Sequence, residues 1–148
     1  MPWIPFTTDH VKPHLADREL AKFEAVASAQ EDEEDDAPDA PPRLPLLVAQ
    51  VCNRFRGAII SNPRASYIGP DGTLPDWLIH AAAILCRRSV ISMLPVEEGY
   101  TDPRKDEYDA AEKELESLRS RDPKAFDPES PVATGGGSSF GGKRKLCW

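Results

Sequence analysis

The chain has 148 residues, with 18 Lys and Arg against 25 Asp and Glu, and a net charge of −7. That length suits one modest domain, and the acid balance argues against a generic nucleic-acid binder, which needs a basic face. No basic, apolar leader and no bilayer-length apolar run are present, so the expectation is a chain with no membrane partner, made and kept in a reducing cytoplasm.

Residues 1–6 (MPWIPF) read as an extended arm, because two prolines forbid a helix. Trp3, Ile4 and Phe6 are too apolar for a free end. Either they fold back onto the core or they dock on a neighbouring subunit. Thr7 or Thr8 starts a short helical turn that Pro13 breaks. Asp17 can cap a helix over 17–29, with Leu20, Phe23, Val26 and Ala27 at helical spacing. His10 and His14 are four apart, a spacing metal sites use, but Pro13 lies between them and no Cys or following Glu completes a set. They are therefore read as non-ligating.

Residues 30–42 form a linker: unbroken acid from Glu31 to Asp36, then alternating Ala and Pro. Like-charge repulsion and proline make it a solvated loop, or an acidic lure for a basic partner. Residues 44–60 carry the clearest amphipathic pattern, with Leu44, Leu47, Val48, Val51, Phe55, Ala58 and Ile59 on one face and Arg54 and Arg56 on the outer side. Asn62-Pro63 ends it. Gly69-Pro70-Asp71-Gly72 is a turn in which proline presets the backbone and glycine closes it.

Residues 74–94 read as one central helix. Thr73 and Asp76 offer a capping-box start, Pro75 falls in the first turn, and apolar residues cover almost every side. Arg87 and Arg88 must leave the core or meet acidic partners. Residues 102–119 form an outer helix with a narrow stripe of Tyr108, Ala111, Leu115 and Leu118. Lys124 to Phe126 adds one more turn. Residues 129–148 form an extended Gly-rich tail ending in Lys143-Arg144-Lys145-Leu146-Cys147-Trp148.

These elements predict an all-α fold: a bundle of about four helices spanning 7–128, with an extended N-terminal arm and a long extended C-terminal tail. No catalytic, metal or cofactor set stands out. Cys52 and Cys86 read as small buried hydrophobes, and His80 as a hydrogen-bonded core residue. The distinctive features are the two ends, so the expected protein-interface residues are Trp3, Phe6, Phe140, Lys143, Arg144, Lys145, Leu146 and Trp148.

Several motifs, taken in order, resemble one family. They are the arm followed by Thr7-Thr8-Asp9-His10-Val11, then Leu15-Ala16-Asp17-Arg18-Glu19-Leu20, then Val48-Ala49-Gln50-Val51-Cys52-Asn53-Arg54-Phe55-Arg56-Gly57. The strongest are Ile68-Gly69-Pro70-Asp71-Gly72-Thr73-Leu74-Pro75-Asp76-Trp77-Leu78 and Arg104-Lys105-Asp106-Glu107-Tyr108-Asp109-Ala110-Ala111. Over residues 6–128 the chain resembles the small helical head–tail connector (neck, adaptor or head-completion) proteins of tailed phages, including the Mu-like neck family. The acidic block at 31–36 and the tail fall outside the match.

That resemblance implies a structural virion protein with no active site. It forms a homo-oligomeric ring, typically of twelve subunits, assembled in the host cytoplasm. The ring sits between the portal protein and the tail or stopper proteins, and DNA passes through its lumen without specific binding. An acidic lumen wall would avoid gripping phosphates. Two other classes remain: a cytoplasmic helical binding module using its acidic loop, and an enzyme subunit lending helices to a partner's site.

Overall fold

The computed structural model describes residues 2–31, 43–95 and 102–128, with the backbone alone for 26–31. The tail residues and most of the acidic linker lie outside these.

The body is mostly helical. A four-residue helix α1 (Thr8–Val11) runs into a 3-10 turn (Lys12–His14) and then α2 (Asp17–Glu31). Helix α3 (Arg43–Ile60), α4 (Ile79–Met93) and α5 (Lys105–Ser117) follow, and a last 3-10 turn covers Pro123–Phe126. α4 packs against α5, α3, α1 and α2, which makes it the centre of the bundle. Its broad apolar face is the cause: Ala82, Ala83, Leu85, Cys86 and Val90 are all buried, and a helix apolar over most of its circumference packs against several neighbours at once.

The all-α expectation needs one correction. The N-terminal arm is a strand, β1 (Trp3–Pro5), paired antiparallel with β2 (Thr73–Pro75), with Ile4 opposite Leu74. The pairing extends at both ends, through Phe6 N–H to the Gly72 carbonyl (3.0 Å) and Asp76 N–H to the Pro2 carbonyl (3.1 Å). Pro5 and Pro75 carry no N–H, so this ribbon presents few donors on its outer edges.

The central helix is correspondingly shorter than 74–94. Pro75 has extended backbone (ψ 137°) and sits in β2; a 3-10 turn at Asp76–Leu78 then leads into α4. Thr73 does not cap a helix. Its hydroxyl donates to the Pro70 carbonyl at 2.6 Å and closes the preceding turn. Competition from the arm explains the change: strand pairing satisfies backbone groups of residues 72–76 that a first helical turn would have left without partners.

The other expected helices form close to their expected bounds. On α3, Leu47, Val48, Val51, Phe55, Ala58 and Ile59 are buried, and on the last helical segment so are Tyr108, Ala111, Leu115 and Leu118. Cys52 and Cys86 are buried free thiols. Phe126 is wholly buried, so the short turn at Pro123–Phe126 completes the core.

Candidate functional site

Three side-chain constellations organise the body. The first surrounds Arg56. Although expected on the outer face of α3, it is buried and reaches over the turn after α3. Its Nη1 donates to the carbonyls of Pro70 (2.7 Å) and Thr73 (3.1 Å), and its Nη2 to the Gly69 carbonyl and the Asp71 carboxylate (both 3.0 Å). Arginine fits here because its donors are rigidly splayed and can serve several acceptors at once. Gly72 sits at φ 74°, where a Cβ is strained.

The second is the seat of the arm. The Trp3 indole lies so close on Gly69 that a Cβ there would stand 2.5 Å from the ring. Its Nε1 donates to the Phe126 carbonyl at 2.9 Å, and Tyr67 meets it edge-on with ring centroids 5.8 Å apart. Trp77 continues the layer, with Phe126 on one side and the Arg121 guanidinium 4.3 Å from its ring centre. Asn62 closes the same region by donating to the carbonyls of Leu118 and Arg121, each at 2.9 Å.

The third is an ionic latch. Arg87, almost fully buried on α4, donates to Glu19 on α2 (3.0 Å), to Asp102 (3.2 Å) and to the Tyr108 hydroxyl. Tyr108 in turn donates to Asp102 at 2.6 Å. Burial alone would raise the Asp102 pKa. Hydrogen bonds from Tyr108 and the Arg104 N–H, with the charge of Arg87, reverse this and hold it below the usual carboxylate value. Burial and the bond to Asp102 push the Tyr108 hydroxyl the other way, so it stays protonated. Arg88 takes the exposed route and lies 3.7 Å from Glu112, which also pairs with Arg54.

The histidines divide. His10 caps α1, where its Nδ1 accepts from the Thr7 N–H at 3.2 Å. His80 is exposed, against the expectation of a core position, because none of the described elements covers the face of α4 it occupies. His14 is half-buried and meets His80, with ring centroids 5.2 Å apart. Burial first, then the neighbouring His80, lowers the His14 pKa.

None of these sets joins a nucleophile to a base. Cys86 is the most shielded of the nucleophilic groups described, and burial lifts its thiol to about 12. Among the described residues no group of three or more His, Cys, Asp or Glu is placed to hold a metal, and no helix is long and apolar enough to cross a membrane.

Of the expected interface residues, Phe6 is buried in the chain's own core and Trp3 is half-buried against it. These two anchors serve the body itself, and the fold-back alternative holds for the arm. Phe140, Lys143, Arg144, Lys145, Leu146 and Trp148 lie outside the described residues. The surface instead exposes Leu46, Ile60, Tyr67 and Ile68, which periodicity does not mark, and Met93, which the apolar run of the central helix counts among its packed residues. Ile60 closes a well-formed amphipathic helix, and Tyr67 and Ile68 stand in a loop, so helical spacing carried no sign of them. No family model, curated protein or solved structure matches the chain.

Proposed function

We propose that this chain is a structural subunit of the neck of a tailed phage, a head–tail connector that assembles as a ring, typically of twelve copies, between the portal and the tail. The observation that carries this reading is the use made of residues 68–78, the stretch with the strongest resemblance to that family. Most of the distinctive residues there have an architectural task. Gly69 seats Trp3, the Pro70 and Thr73 carbonyls hold Arg56, and Leu74 and Leu78 are fully buried. A segment given so largely to shape suits a part of an assembly better than an enzyme.

Two further features support it. Ile60 (60% exposed), Met93 (47%) and Leu46 (45%) leave apolar surface that a neighbouring molecule would cover. The solvent side of α5 carries Asp106, Glu107, Asp109 and Glu116 against Lys105 and Lys113. An acidic wall of this kind lets DNA pass without gripping it. In this reading Phe140, Lys143, Arg144, Lys145, Leu146 and Trp148 contact adjacent subunits or the portal.

The test is to locate the chain in purified particles by electron microscopy and to weigh the isolated protein by light scattering. A ring at the head–tail junction is expected. A protein absent from particles and monomeric at all concentrations overturns the reading. Removing residues 31–36 discriminates further: a connector still attaches, whereas a module that works through its acidic loop loses its partner.

A further inference from the structure

The pairing of His14 with His80 does not follow from the connector reading and does not rest on it. The two residues are 66 positions apart on different elements, the 3-10 turn Lys12–His14 and the first turn of α4. Neither imidazole is used elsewhere in the architecture described above, whereas His10 is spent on capping α1.

The separation of the rings is informative. A tetrahedral zinc ion bound by two imidazoles at about 2.0–2.1 Å places each ring centre about 3.2 Å from the metal, so the two centres stand about 5.2 Å apart. The observed spacing is 5.2 Å, with the ring planes 56° apart. The pair is also close enough for ordinary ring packing, at about 4.5–7 Å between centres, so the rings meet across the two elements with no ion bound.

The backbone beneath the pair is held. The His14 carbonyl accepts from Arg104 Nη1 at 3.3 Å, which ties the 3-10 turn to the segment entering α5. His80 sits on the central helix. The charged groups that act on His14 are His80, Arg104 and Arg87, which disfavour its protonation, against Glu107, which favours it. Glu107, one turn after Arg104, offsets part of the cationic field that would repel a metal. His80 is exposed and His14 half-buried, so an ion enters from solvent and keeps water in its remaining positions.

We propose that His14 and His80 form a two-imidazole site for a borderline divalent transition metal, with zinc as the reference ion, that fastens the N-terminal segment to the central helix. Imidazole nitrogen selects such ions over magnesium and calcium, which demand oxygen ligands. With two protein ligands and no third from the described residues, the site is an accessible, exchanging one rather than a closed structural centre.

The test is calorimetric titration of the full chain with zinc chloride, alongside thermal unfolding with and without the metal. Wild-type protein is expected to bind one equivalent in the micromolar range and to unfold at higher temperature when loaded. His80→Gln, on an exposed side chain, leaves the fold intact by circular dichroism. It should weaken binding by about tenfold or more and abolish the metal-dependent shift, and His14→Gln should do the same. Magnesium should produce neither effect. Absence of zinc binding overturns the proposal. So does zinc binding that is unchanged in both variants, which places the metal elsewhere on the chain. Chemical-shift changes confined to the imidazole resonances of His14 and His80 on adding zinc support it directly; changes at His10 alone refute it.

Discussion

Trp3 donates its indole N–H to the carbonyl of Phe126, joining positions 123 residues apart in a 2.9 Å hydrogen bond. The first strand and the last turn of the described body are thereby closed against each other, over Gly69. The arm is a part of the core. Replacing Trp3 with Ala removes the ring that fills this seat and leaves a buried acceptor unserved. The expected loss is about 2–4 kcal/mol, toward the lower end of the core-Trp range because the ring is half-exposed. Chemical denaturation read by circular dichroism checks it, and Trp3→Phe should recover part of the loss but not the hydrogen bond.

Gly69 tests the same contact from the other side. A Cβ there would lie 2.5 Å from the Trp3 ring, so Gly69→Ala forces the arm off its seat. A destabilisation of about 1–3 kcal/mol is expected. Combined with Trp3→Ala the effect should be strongly less than additive, since the ring that Cβ strikes is already gone. Full additivity would show that the two residues do not share one contact.

The latch on Arg87 makes stability depend on acid. The Asp102 carboxyl titrates below its ordinary value of 3.8 in the folded chain. The unfolded chain therefore takes up the proton first. The stabilisation is present in full above that ordinary value and is lost as pH falls beneath it toward the folded one. Asp102→Asn should be less stable than wild type at neutral pH, and the gap should close below about pH 4. Tyr108→Phe, which removes a donor to the same carboxylate, should cost about 1–2 kcal/mol and shallow the acid dependence. Urea unfolding across pH 2.5–7 measures both.

Removing one partner of the latch should be costlier than replacing it whole. Arg87→Ala leaves the partly buried carboxylates of Glu19 and Asp102 without their shared cation, and a loss of about 3 kcal/mol, the low end for broken buried pairs, is expected. The triple change Arg87→Met, Glu19→Leu and Asp102→Leu removes every charge and should recover much of that. A thermal-unfolding series on wild type, Arg87→Ala and the triple variant decides it.

The neck assignment has its own genetic test. A chain lacking residues 135–148 should keep the helical signature and the unfolding transition of the body, because the core among the described residues closes at Phe126. It should fail to attach to particles. Attachment of the shortened protein at wild-type occupancy would remove the tail from the docking role.

Helical spacing in the chain was enough to place α2, α3 and α5 within a few residues, to bury Cys52 and Cys86, and to line Tyr108, Ala111, Leu115 and Leu118 on one stripe. Those are local properties: a 3.6-residue repeat of apolar side chains has one face to bury wherever the helix sits. What tertiary structure decided was the pairing of distant groups. Residues 73–75 read locally as the cap and first turn of a helix, but the arm competes for their backbone and turns them into a strand. Arg56 reads as an outer charge until the turn at 69–73 folds across it. His80 reads as a core residue because its neighbours are apolar, yet among the described residues it is exposed on α4 and meets His14 instead. In each case the deciding partner lies at least 13 residues away in the sequence, beyond the reach of any periodicity, and only the packed chain brings it within hydrogen-bonding or van der Waals distance.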